Sequence, residues 1–281
     1  MTKTYKLYVD GSFPRSESGR VYPVHDARGN FLANAAQASR KDVRDAVAAA
    51  RKAFGGWSGT TAYNRGQVLF RVAEVLEGRR EQFVSEVAAA EGVSREQAES
   101  TVDESIDRMV WYAGWTDKIP AVLGASNPVA GPYFSFSVPE PTGVVGVLAP
   151  QDSSLLGLIS VVAPVLAAGN TCVVVSSSER ALPAIDFAEV LATSDVPGGV
   201  VNLLTGHVDE LAPWLASHAD VNALDPSGAP DSMRAELSES AAATVKRVLS
   251  VRGEQDWTRR PSIQRLRAFS EIKTVWHPVG T

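Results

Sequence analysis

The sequence predicts an α/β fold built on a doubly wound parallel sheet, and three stretches carry that prediction. Residues 143–149 and 171–175 are apolar runs of strand length without polar alternation, which is typical of strands covered on both faces. The run between them, residues 155–168, is too long for a strand, and Gly169-Asn170 supplies the positive φ that ends a helix. The order strand, helix, strand predicts a βαβ unit.

The same alternation of helix and strand continues along the chain. The predicted elements are helices at 182–192, 208–216 and 233–244 and strands at 200–204, 221–224 and 246–251. Five strands joined by crossovers that are right-handed by the general rule indicate an open sheet of Rossmann type over residues 143–252.

Residues 1–126 are predicted to form a surface hairpin followed by helices. The two strands of the hairpin, 5–10 and 20–24, flank the turn Glu17-Ser18-Gly19. Helices are predicted at 40–54, where Gly55-Gly56 ends the first, and at 63–77, 79–90 and 95–119. Ser39 with Asp42 and Ser94 with Gln97 are capping-box patterns for the first and last of them.

The last of these helices is predicted to be buried along one side. Its buried face would consist of Ala98, Val102, Ile106, Met109, Val110 and Ala113. Trp111, Tyr112 and Trp115 follow helical spacing, which favours core packing over a ligand cage.

Two further stretches show the alternation of exposed strands. YFSFSV at 133–138 alternates aromatic or aliphatic residues with serine, which predicts a strand with one apolar and one polar face. SEIKTVW at 270–276 alternates in the same way and places Ile272, Thr274 and Trp276 on one face.

Composition excludes several classes of function. A net charge of −5 over 281 residues argues against a nucleic-acid or anionic-membrane partner. Residues 1–11 lack the apolar core of a signal peptide and no run of eighteen apolar residues occurs, so a cytosolic protein is expected. The single cysteine, Cys172, excludes an internal disulfide and a multi-cysteine metal site, and is interpreted as a buried strand residue. The histidines lack ligand spacing and are interpreted as surface or turn residues.

Several phrases resemble the aldehyde dehydrogenase superfamily in order and spacing. They are PTGVVGVLAP, APVLAAGNTCVV and PGGVVNLLTG between residues 141 and 206, WYAGWTDKI at 111–119 and EIKTVWHPVG at 271–280. The resemblance implies a Rossmann-type cofactor domain with N-terminal helices and a small bridging β-arm, in which residues 127–142 pair with 270–281. Where the family has its catalytic domain, this chain has only a short linker, residues 253–269, so the catalytic domain is missing.

Two catalytic positions implied by the resemblance carry unsuitable residues. Asp152 stands where the family has an asparagine amide in the oxyanion hole, and an ionised carboxylate has no hydrogen to donate; a helix-capping role is favoured for it. Val251 stands at the general-base glutamate and cannot move protons, and Glu254 replaces a glycine. The catalytic cysteine would belong to the missing domain.

The cofactor positions are altered as well. Ser176 replaces the lysine that would hold the adenosine ribose together with a glutamate, and only that glutamate, Glu179, is retained. Asp225-Pro226-Ser227 stands at the pyrophosphate loop, where Asp225 adds negative charge and Pro226 removes a backbone donor. No cofactor, or only weak NAD(P) binding, is expected.

These observations favour an inactive subunit that assembles with a full-length aldehyde dehydrogenase. The family's arm reaches the catalytic-domain sheet of a neighbouring subunit, and this chain has no such sheet to receive one. The expected interface residues are Tyr133, Phe134, Phe136, Ile272, Thr274 and Trp276. An excess of basic residues over 246–273 indicates either a solvated surface or steering towards an acidic partner.

Two alternatives stay open. One is an NAD-linked oxidoreductase whose site is completed by a partner chain, with residual cofactor binding through Glu179. The other is a free-standing nucleotide or ligand sensor.

Overall fold

The computed structural model describes residues 3–251, 253 and 255–280. Its strands are β1 Thr4–Tyr5, β2 Val21–His25, β3 Phe31–Ala36, β4 Ala125–Asn127, β5 Tyr133–Pro141, β6 Val144–Leu148, β7 Thr171–Val175, β8 Val201–Leu204, β9 Ala223–Asp225, β10 Arg247–Val248 and β11 Ser270–Pro278. Its helices are α1 Arg40–Gly59, α2 Ala62–Gly78, α3 Arg80–Glu91, α4 Arg95–Ala113, α5 Ile119–Leu123, α6 Leu156–Ala167, α7 Leu182–Ala192, α8 Val208–Ser217, α9 Asp231–Ala242 and α10 Gln264–Ala268.

The central sheet confirms the predicted doubly wound fold. Its strand order is β10-β9-β6-β7-β8 and every neighbouring pair is parallel. The chain winds outwards in both directions from β6, so the topological switch point lies between β6 and β9. At one edge β10 spans two residues instead of the predicted six, because its neighbour β9 offers only three residues to pair with.

Two apolar cores lie on the two faces of this sheet. Val145 and Val147 of β6 face the core formed with α2, α3, α4, α6 and α7. Val144 and Leu148 face the opposite core, to which α1, α8 and α9 contribute. Since alternate residues of one strand enter different cores, the lack of polar alternation in β6 and β7 follows directly from burial on both sides.

The predicted N-terminal hairpin is wrong. β2 pairs antiparallel with β3, and β1 pairs parallel with the same strand, so β3 is the centre of a three-stranded sheet. The turn between β2 and β3 is closed by the Asp26 carboxylate, which accepts from the backbone N–H groups of Arg28 and Asn30. The strand FLANAA went unpredicted because its small residues have low strand propensity.

Two helix boundaries also differ from expectation. The predicted capping boxes at Ser39 and Ser94 are both present. However, α1 continues through Gly55-Gly56 to Gly59, because Trp57 is buried and its Nε1 donates to the carbonyl of Leu166 at 3.2 Å. Tertiary packing here outweighs the low helix propensity of glycine.

The buried face of α4 is rotated from the predicted one. The helix ends at Ala113, six residues before the predicted end, and α5 follows after a turn. Val110 is exposed, whereas Arg108 and Tyr112 are buried. Trp111 and Trp115 pack at the edge of the core, which agrees with the packing interpretation.

The arm is a separate three-stranded sheet with order β11-β5-β4, as predicted for its two long strands. β11 runs antiparallel to β5 along nine residues, from Ser270 opposite Pro141 to Pro278 opposite Tyr133. This register places Ile272, Thr274 and Trp276 on the face of Tyr133, and Phe134 and Phe136 on the other. Both faces of the arm therefore present apolar groups, whereas one polar face was expected.

Candidate functional site

The carboxyl ends of the central strands form the candidate site, because ligands of doubly wound sheets bind outside these ends at the switch point. The loops after β6, β7 and β9 bring together most of the positions singled out in the sequence. A cavity of about 310 Å³ opens between these loops and the segment beyond β10. Its walls are formed by Asp152, Ser227, Asp231, Arg234, Gly253, Gln255 and Trp257.

The loop after β6 is fixed by Gln151. Its side-chain amide donates to the carbonyl of Ala149 at 2.8 Å, and its side-chain oxygen accepts from the N–H of Ser178 at 2.9 Å. The neighbouring Asp152 is exposed, and its carbonyl accepts from Arg180. Gln151 thus ties the loops after β6 and β7 together.

The predicted capping role of Asp152 is wrong. Ser153 accepts from the N–H of Gly157 at 2.9 Å, in the first turn of α6. Glu91, the last residue of α3, accepts from the N–H and hydroxyl of Ser154 at 2.6 and 2.7 Å. A carboxylate at a helix N-terminus is stabilised by the helix dipole, so Glu91 takes the place expected for Asp152.

The two residues at the expected ribose-binding positions, Ser176 and Glu179, differ in their exposure to solvent. Ser176 is buried and its hydroxyl donates to the carbonyl of Ser177, so it does not face solvent. Glu179 is exposed and lines a broad groove of about 770 Å³. Tyr22, His25, Arg180 and His207 line the same groove.

The loop after β9 holds an ion pair that the sequence did not predict. The Asp225 carboxylate is fully buried and accepts from Nε of Arg265 at 2.9 Å. It also accepts from the N–H of Ser227 at 3.0 Å, and Arg265 donates from Nη2 to the Ser227 hydroxyl at 2.8 Å. The charge assigned to Asp225 is thus compensated within the chain.

At Gly228, the backbone of this loop lies directly against the end of β6. Its N–H donates to the carbonyl of Leu148 at 2.8 Å, and an added Cβ would lie 1.8 Å from the carbonyl oxygen of Ala149. No side chain fits in that space, so glycine is required at this close approach.

Arg265 belongs to residues 255–269, which we call the closing segment. Trp257 and Ile263 of this segment pack against the main core, and Leu266 and Phe269 are buried in it. The predicted linker is therefore a folded part of the domain that borders the cavity at the switch point.

The remaining predicted positions contribute little to the site. Val251 is partly buried beyond the end of β10, and Glu254 lies outside the described residues. Cys172 is fully buried in β7, and burial raises the pKa of its thiol. Among the residues that the structure describes, no group of His, Cys, Asp and Glu side chains could hold a metal ion.

Sequence reasoning missed Arg108, Glu91 and Arg265. Arg108 gave no signal, because the predicted buried face of α4 did not include its position. Glu91 and Arg265 act on partners 63 and 40 residues away, and nothing in the local sequence indicates such contacts.

The fold is that of a doubly wound α/β domain of Rossmann type, and comparison with known proteins gives its family. The model of the aldehyde dehydrogenase family matches residues 13–256. Aldehyde dehydrogenase family 2 member B4 of Arabidopsis thaliana is 33% identical over 247 residues, which are 86% of this chain and 45% of the relative. Aminoacetaldehyde dehydrogenase of Pseudomonas aeruginosa is 33% identical over 252 residues, covering 87% and 49%.

Solved structures give the same result. The NAD+ complex of aldehyde dehydrogenase from Bacillus cereus superposes with a TM-score of 0.82 at 25% identity, over 88% of this chain and 50% of that protein. HpcC from Thermus thermophilus gives a TM-score of 0.82 at 27% identity, over 88% and 47%. The chain belongs to the aldehyde dehydrogenase family and spans about half the length of these relatives, without their catalytic domain.

No helix in the part of the chain that the structure describes is long and apolar enough to cross a membrane.

Proposed function

We propose that this chain is a catalytically inactive subunit that assembles with a full-length aldehyde dehydrogenase and supports or regulates it. The observation that carries the proposal is an imbalance between two parts of the molecule. The site at the carboxyl ends of the central strands lacks the amide and the general base that aldehyde oxidation needs. The arm, in contrast, keeps a long exposed strand with apolar side chains.

The available side chains do not support aldehyde oxidation by the chain alone. A cysteine nucleophile must ionise, and the raised pKa of the buried Cys172 thiol opposes this. Asp152 carries no hydrogen for a developing oxyanion, and Val251 accepts no proton. Each of these changes removes a different part of the reaction.

The residues at the pyrophosphate position do not fit NAD(P). Arg265, the cation nearest to this loop, is paired with the buried Asp225 carboxylate and is therefore not available to a diphosphate. Pro226 has no N–H to donate. Glu179 is exposed and still able to accept from ribose hydroxyls, which allows at most weak binding.

The arm supports assembly with a partner. β11 forms one edge of its sheet, so its outward backbone groups are open to strand addition. Trp276 is 59% exposed and Phe134 52% exposed, on opposite faces of the sheet. Steering by basic residues has less support, because Arg247 pairs with Glu271 and Lys273 with Glu140.

The first prediction concerns chemistry and cofactor. The isolated chain should show no NAD(P)-dependent aldehyde oxidation, and NAD should bind no more tightly than the millimolar range. Each charge-assisted hydrogen bond lost to the diphosphate or ribose removes roughly 1.5–3 kcal/mol. Calorimetry and a reduced-cofactor absorbance assay measure these quantities. Micromolar NAD binding, or any NAD(P)-dependent turnover by the pure chain, contradicts the proposal.

The second prediction concerns the partner. Co-expression with a full-length aldehyde dehydrogenase from the same genome should yield a stable complex, and the double variant Ile272→Asp/Trp276→Asp should lose it, because two charges would enter the apolar interface. Trp214→Asp is the matched control, since Trp214 is an exposed tryptophan on α8. If the full-length aldehyde dehydrogenase co-purifies in full amount with Ile272→Asp/Trp276→Asp, the arm is not the contact surface.

A further inference from the structure

The closing segment is attached to the domain through a buried arginine of α4. Arg108 is 7% exposed and donates to the carbonyls of Trp257 and Arg259, both at 2.8 Å. Its other terminal nitrogen donates to the Ser160 hydroxyl of α6 at 2.7 Å. The guanidinium thus joins two core helices to the backbone of the closing segment.

A second attachment lies at the switch point. The Arg265 side chain is 16% exposed and forms its ion pair with the fully buried carboxylate of Asp225. The Arg265 guanidinium also lies over the ring of Trp257, 5.2 Å from its centroid. Removing one member of a buried ion pair leaves an uncompensated charge, so the loss of either charge weakens this attachment strongly.

The closing segment leads without a break into the arm. α10 carries Arg265 and ends at Ala268, and β11 begins at Ser270. Between them, the carbonyl of Phe269 accepts from the side-chain amide of Asn170 at 2.9 Å, and the oxygen of that amide accepts from Gly143 N–H. The direction in which the arm leaves the domain is therefore set where the closing segment is held.

We propose that the closing segment is a latch and that Arg265 and Asp225 are positioning residues for the arm. Residues that stand at the family's pyrophosphate loop now hold α10 in place, and α10 fixes the start of β11. The part concerning partner binding rests on the function proposed above. The latch itself is a property of the isolated chain.

Trypsin cleavage after Arg259 measures opening of the latch. This side chain is 83% exposed, but its own carbonyl accepts from Arg108, so cleavage requires local release of the segment. Asp225→Asn should accelerate this cleavage at least tenfold. Asp103→Asn is the matched control, because it removes the carboxylate of an exposed Asp–Arg pair with Arg80 at 2.6 Å, and it should change the rate less than twofold.

A second variant tests the latch if Asp225→Asn does not fold. If Asp225→Asn loses cooperative melting, Arg265→Lys replaces it, since this variant keeps the charge but loses the second donor to Ser227, and it should accelerate cleavage severalfold. Cleavage after Arg259 at the wild-type rate in the folded variant overturns the latch.

Partner affinity is measured separately. Asp225→Asn should weaken capture of the full-length aldehyde dehydrogenase about tenfold relative to Asp103→Asn. If the wild-type chain captures no such partner, the proposed function fails, while the cleavage rates still decide whether the latch exists. Capture by Asp225→Asn equal to that by the control overturns the role of the latch in positioning the arm.

Discussion

At the residue scale, the chain buries ionisable side chains in contact with other polar groups. Asp225 meets Arg265, as described above, and a second case joins α3 to α7. Glu86 lies against the buried Asp186, and the amide of Gln82 donates to both carboxyl groups, at 3.0 and 2.7 Å. Burial, followed by the neighbouring Asp186, raises the pKa of Glu86 to about 9. The folded chain therefore retains a proton between these helices at neutral pH.

This proton makes stability depend on pH. In the unfolded chain Glu86 releases the proton near its ordinary pKa of about 4.3, whereas the folded chain holds it to higher pH, so stability should fall as pH rises between these values. Glu86→Gln mimics the protonated form and should melt at a higher temperature than wild type at pH 8, with little difference at pH 4.5. Thermal melts across this range test it. Glu81→Gln, on the exposed side of the same helix, should show no gain at pH 8.

At the scale of elements, tertiary packing determines the boundaries and buried faces of helices and strands where local sequence signals disagree. Capping boxes, apolar runs and the strands β6 and β7 were predicted well because each depends on neighbouring residues. β3, the last turn of α1 and the rotated face of α4 were not, because each is set by contacts distant in sequence, such as that between Trp57 and Leu166. At the site, residue identities predicted altered catalytic and cofactor positions, but not that Arg265 compensates Asp225.

The glycines of α1 allow a test of this view. Gly55 lies inside the helix and an added Cβ would meet nothing within 4 Å. Gly55→Ala should therefore raise the free energy of unfolding by about 0.5–1 kcal/mol, because alanine loses less backbone entropy. Urea denaturation measures the change. Gly228→Ala is the opposing control and should destabilise strongly, and a loss of stability in Gly55→Ala would contradict the helical packing described here.

At the scale of the whole molecule, the domain has the family fold and carries an exposed apolar arm. Two apolar cores surround the sheet, and the closing segment completes one of them. The arm projects apolar groups from both faces, which include Tyr133, Phe134, Ile272 and Trp276. A small exposed sheet of this kind favours self-association when no partner covers it.

The isolated chain should consequently associate with itself as its concentration rises. Light scattering over a range of concentrations should show growing mass for the wild type. Ile272→Asp/Trp276→Asp should remain monomeric, because charges on an exposed strand oppose edge pairing. A wild-type chain that stays monomeric at high concentration would contradict this expectation.

The burial of Leu266 and Phe269 has a consequence for synthesis. Both side chains are buried in the main core, where α10 packs against α6, so that core stays open until residues 266–269 have left the ribosome. Chains grow at about 5–20 residues per second, and apolar surface exposed during that time is prone to aggregate. The order of translation therefore leaves this core incomplete until the closing segment emerges.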